Sequence, residues 1–95
     1  MAPVLLSKPL KTHKGEVTSL ELRELSARDI VEARQSPIKI SHVGDEVVHE
    51  YRYDVVMRLA SMMTGHDEIV LGAMKGGDFH MLTAAVVDEW NRLGE

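Results

Sequence analysis

An α+β fold, with an N-terminal β-hairpin followed by three to four helices, is predicted by three features of this 95-residue chain. Apolar and polar residues alternate near the N-terminus, apolar residues recur at three-and-four spacing in the second half, and glycine and proline fall between these stretches. The length suits a single domain, 1–95, with one modest core. With 44% hydrophobic and 27% charged residues, the composition is that of a folding chain rather than a disordered one.

The hairpin is expected within residues 1–25. Val4-Leu5-Leu6 and the run from Val17 to Arg23 supply the strands, and His13-Lys14-Gly15 supplies the turn. Leu20 and Leu22 fall on one face of the second strand while Glu21 and Arg23 fall on the other, as a half-buried strand requires. Pro9 suits an edge strand, because it cannot donate a ladder hydrogen bond. A short helix follows over 26–35. The Ser26 hydroxyl is placed to accept from the Asp29 amide, and the Asp29 carboxylate favours the positive helix end. Leu25 and Ile30 stand at the positions of a hydrophobic staple. Ser36-Pro37 ends this helix, since the residue before proline avoids helical geometry.

Residues 36–44 set Ile38 and Ile40 between polar neighbours and fit either a short strand or a loop packed by the two isoleucines. The remainder, 45–95, reads as helical. One helix is expected to start at Asp45 and Glu46, with Val48, Tyr51, Val55, Leu59, Met62 and Met63 as its stripe and Thr64-Gly65 as its stop. A short helix beginning near Asp67 follows, closed by Lys75-Gly76-Gly77. Asp78 is expected to cap the last helix, whose stripe is Phe79, Leu82, Val86, Trp90 and Leu93.

Composition narrows the function. Fifteen acidic against eleven basic residues give a net charge of -4, the wrong sign for a protein that binds by neutralising phosphates, so no nucleic-acid partner is expected. Cysteine is absent, which removes disulfides, thiolate nucleophiles and Cys-ligated zinc and leaves a reducing cytoplasm as the simplest compartment. The N-terminal run of three apolar residues is far short of a signal-peptide core or a membrane span. His13, His42, His49, His66 and His80 show no pair at ligand spacing on one helix, so no metal and no cofactor are expected. No serine lies in a Gly-x-Ser-x-Gly turn, and Lys75-Gly76-Gly77-Asp78 lacks the parts of a phosphate loop. The chain reads as a protein-binding module rather than an enzyme.

The candidate binding residues are the apolar positions of the two long helices: Met57, Met62, Met63, Phe79, Met81 and Trp90. Unbranched thioethers adapt to varied apolar partners and equally fill irregular cores, and the large rings have the same two uses. Two amphipathic helices and a lone hairpin leave apolar faces for a partner or for self-association.

Several ordered motifs resemble those of the tail assembly chaperones of Mu-like contractile-tailed bacteriophages. They are Leu6-Ser7-Lys8-Pro9, Gly15, Leu20-Glu21-Leu22-Arg23-Glu24 and Ser26-Ala27-Arg28-Asp29, then Leu59 to Gly65 and Gly77-Asp78-Phe79. The resemblance spans nearly the whole chain, although Pro37 to Gly44 matches no motif and methionine stands at 63 where leucine is expected. It implies a non-enzymatic chaperone in the bacterial host cytoplasm that binds the tape measure protein during tail assembly. It also implies a frameshifted longer form as a further partner, with the extension starting near Glu95. A homo-oligomer and the absence of any membrane partner complete the expectation. The alternative reading is a small dimeric regulator or antitoxin-like module.

Overall fold

The computed structural model describes residues 3–93, so the expected junction near Glu95 lies outside the described residues. Strands β1 (Val4–Thr12) and β2 (Gly15–Leu20) pair antiparallel, and helix α1 (Ala27–Ala33) follows. Strands β3 (Ile38–Val43) and β4 (Glu46–Tyr51) form a second antiparallel pair that makes its own two-stranded sheet. Helices α2 (Tyr53–Thr64), α3 (Glu68–Leu71) and α4 (Gly76–Arg92) complete the described chain. The fold is therefore α+β, with the predicted N-terminal hairpin and four helices among the described residues.

The core joins the first hairpin to the helices. Val4, Leu10, Leu20, Leu22 and Leu25 pack with Val55, Val56, Leu59, Ala60 and Met63 of α2, Leu71 of α3, and Leu82 and Val86 of α4. Leu20 and Leu22 are both buried as expected, but β2 ends at Leu20 rather than Arg23, so Leu22 lies in the segment that leaves the strand. Between Leu5 and Leu10, β1 advances five residues while β2 advances only from Ser19 to Val17, so β1 bulges outward by three residues. Pro9 sits in this bulge, where its missing N–H costs no ladder bond.

Helix α1 begins as the sequence indicated. Ser26 and Asp29 form a capping box, the Ser26 side chain accepting from the Asp29 amide while the Asp29 carboxylate accepts from the Ser26 amide. The helix ends at Ala33 rather than Gln35, because Arg34 turns into the left-handed region at φ 65°. Arg58 of α2 donates to the freed Ala33 carbonyl at 2.6 Å. Of the proposed staple, Leu25 is buried and Ile30 stays exposed.

Two expectations are corrected. Residues 45–51 are not the start of a helix: Glu46–Tyr51 is strand β4, and α2 starts at Tyr53. Gly44, at φ +62°, and Asp45 close a two-residue turn, and the β-branched and aromatic residues Val47, Val48 and Tyr51 favour the extended chain that follows. The spacing of Val48, Tyr51 and Val55 mimics a helical stripe across the end of a strand. The second correction concerns Asp78, which is the third residue of α4 rather than its cap. Gly76 and Gly77 open that helix, and Lys75 occupies the N-cap position without a side-chain bond.

Candidate partner-binding surface

The motif residues hold the body of the fold together. The β1 bulge leaves the Ser7 amide without a strand partner, and both Asp78 carboxylate oxygens accept from it at 3.0 and 3.1 Å. The Ser7 hydroxyl adds a third bond to the same buried carboxylate at 3.0 Å. Arg23 clamps Asp29 through both guanidinium arms, at 2.6 and 2.9 Å, and its own amide donates to the Met63 carbonyl at 3.0 Å. Hydrogen bonding to Arg23, then to the Ser26 amide, holds the Asp29 carboxyl well below the usual carboxylate range. Glu89 of α4 is buried and accepts the Leu25 amide at 3.1 Å. These groups each have a structural partner, which accounts for their burial without a ligand.

A further polar pair lies at the tip of the first hairpin. His13 reaches Asp67 at 3.2 Å, both largely exposed. The Asp67 carboxyl is lowered first by the Val70 amide it accepts as the cap of α3, and second by His13. The pair ties the hairpin turn to the α3 cap. No group of three or more metal-ligating side chains gathers among the described residues.

The six candidate residues occupy different environments. Met63 is 3% exposed and belongs to the core. Met57, Phe79 and Trp90 are half-buried and pack on that core, Met62 is half-buried, and Met81 is 55% exposed. Phe79 is joined to further rings: Tyr53 lies 5.9 Å from it, centroid to centroid, and Tyr51 lies 6.0 Å from Tyr53.

That aromatic row leads onto the second hairpin, which spacing alone did not single out. Cross-strand partners point to the same face, so the register places Ile38, Ile40 and His42 of β3 beside Tyr51, His49 and Val47 of β4. Ile40 is 60%, Val47 52% and Tyr51 50% exposed. Beyond each other, β3 and β4 touch the rest of the fold only sparsely. Ile40, Val47 and Tyr51, with Tyr53 beyond them, thus leave apolar side chains exposed together, and exposed apolar patches on small proteins commonly mark interaction sites. The molecule is elongated, at 48 × 28 × 22 Å with a radius of gyration of 14.0 Å. A compact chain of this length would have about 12.4 Å. The signal in the sequence was the alternation at Ile38 and Ile40, continued after Gly44-Asp45 by Val47, His49 and Tyr51.

A small α+β body that spends its polar motifs on internal latches and extends an apolar β-arm has the features of a protein-binding module. The family model of phage tail assembly chaperone proteins, E, or 41 or 14, matches residues 4–89, and the chain belongs to that family. No curated protein and no solved structure matches it. Among the described residues no helix is long and apolar enough to cross a membrane.

Proposed function

We propose that this tail assembly chaperone holds the tape measure protein in the host cytoplasm until tail-tube subunits assemble around it, and that it acts by binding rather than catalysis. The observation that carries the reading is the exposed face of the second hairpin, Ile40, Val47 and Tyr51, continued by Tyr53 and Phe79. A chaperone for apolar helices needs a surface that is apolar, accessible and free of competing internal contacts, and this arm combines all three. Met81, exposed on α4, and the half-buried Met57, Met62 and Trp90 supply further adaptable contacts. The net charge of -4 keeps such a chain dispersed. A frameshifted longer form of the chain is a second proposed partner.

Co-expression with the protein encoded immediately downstream, followed by pull-down and native mass spectrometry, tests the reading. A long helical protein that is soluble only with this chain is the expected capture, and the Val47→Lys/Tyr51→Lys variant should lose it while keeping the wild-type circular dichroism. Full capture by that variant would remove the arm from the binding surface, and capture of a small basic protein instead would point to a toxin-binding module.

A further inference from the structure

The arm has open edges as well as an open face. In a hairpin closed by a two-residue turn, the pair flanking the turn exchanges both hydrogen bonds, and alternate pairs follow suit. Here the flanking pair is Val43 and Glu46, so Glu46, Val48 and Glu50 turn their backbone groups toward β3, while Val47, His49 and Tyr51 turn theirs outward. An edge of this kind is a template for another strand. Nature commonly blunts such edges, and β3 is blunted at its start by Pro37. No proline interrupts β4.

We infer that β4 pairs antiparallel with β4 of a second copy of this chain, about a two-fold axis through His49, to form a four-stranded sheet. A two-fold axis between antiparallel edge strands runs perpendicular to the sheet, so each residue must face one of its own parity. Only a few registers satisfy this. Centring on Val48 sets Glu46 opposite Glu50 of the other copy, a like-charge pair. Centring on His49 sets Val47 opposite Tyr51, a β-branched and aromatic pair, and Glu46 opposite Arg52, an opposite-charge pair, each formed twice. The outward backbone groups of residues 47, 49 and 51 then meet as hydrogen-bonded pairs. Against a net charge of -4, which opposes self-association in general, this local charge match selects the register.

The same register matches a second feature. Helix α2 has no side-chain cap: Arg52 stands at its N-cap position and offers no acceptor. In the pair, the acidic tip Asp45-Glu46 of one copy arrives at this uncapped, positive helix start of the other. The arrangement leaves the apolar faces of both arms on one side of the sheet, doubling the width of the proposed binding face. The inference does not rest on the tape measure reading, because it is tested on the chain alone.

Sedimentation velocity of the purified full chain at high micromolar concentration reads the outcome directly. Wild type should sediment as twice the 10.6 kDa chain mass. His49→Pro removes an outward N–H without touching the β3 ladder, and should give a monomer with unchanged circular dichroism. Glu46→Arg and Arg52→Glu should each be monomeric alone, re-form a dimer when mixed, and dimerise when combined in one chain. A monomeric wild type, a dimer unaffected by His49→Pro, or single charge variants that do not rescue each other would overturn the inference. A wild-type monomer whose capture of the downstream protein is lost in His49→Pro would assign the edge to that partner instead.

Discussion

Asp29 shows how much one side chain can hold in a chain of this size. Its carboxylate accepts the Ser26 amide at 2.8 Å, the Ser26 hydroxyl at 3.0 Å and both arms of Arg23, and so joins the helix cap to the segment leaving β2. Because these donors lower its pKa in the folded state, the stabilisation is complete above the unfolded pKa and is lost as pH falls through the folded value. Asp29→Asn should cost about 2 kcal/mol at pH 7, the sum of a weakened cap and a lost charged bond. The gap to wild type should narrow by about 1 kcal/mol between pH 6 and pH 3, where the unfolded carboxylate gains its proton. Urea titrations of both proteins at the two pH values measure it; a gap that stays constant would mean that Asp29 holds no net charge-dependent bond. Asp78 makes a parallel case without a helix cap. Asp78→Ala strands the Ser7 amide and hydroxyl beside the β1 bulge, and should cost about 2–3 kcal/mol in the same titration.

Individual elements were legible where one rule acted alone. Ser26 with Asp29 gave the start of α1, Gly65 the end of α2, and Leu20 with Leu22 the buried face after the first turn. The motif resemblance gave the family, and its polar residues Ser7, Arg23, Ser26, Asp29 and Asp78 proved to be latches. Elements were missed where two periods overlapped. Val48, Tyr51 and Val55 satisfy a helical stripe, but the first two belong to a strand that no larger sheet supports, so propensity and a glycine turn decided the matter. The early end of α1 was invisible for another reason: arginine rarely takes a left-handed φ, and it does so at residue 34, where the chain turns toward Pro37. Glycine adopts that conformation without the clash of a Cβ, so Arg34→Gly should raise stability by about 0.5–1 kcal/mol, read as a higher urea midpoint at unchanged slope. The binding surface was the least legible part. Sequence reasoning looked for it on the helices, where Met63 is core, Met57, Phe79 and Trp90 pack on the core and Met81 is exposed, and did not single out the exposed face of the arm.

At the scale of the whole molecule, the arm and the body are structurally separable. An isolated two-stranded hairpin is marginal in water, and β3 and β4 draw little support from the rest of the fold. The body, in turn, needs nothing from the arm: its core runs from the first hairpin and α1 through α2, α3 and α4, with no residue of 38–51 in the fully buried cluster. The two ends of the arm are already joined, the Arg52 amide donating to the Pro37 carbonyl at 2.8 Å. A short glycine link can therefore replace residues 38–51 without moving α1 from α2, which Arg58 and the Ala33 carbonyl still hold together. The shortened protein should unfold cooperatively within a few degrees of wild type, since the residues removed bury little. It should also lose both self-association and capture of the downstream protein. Thermal unfolding followed by circular dichroism, with the pull-down on the same sample, separates the alternatives. A body that no longer folds would make the arm part of the core, and a folded body that still captures its partner would return the binding surface to α2 and α4.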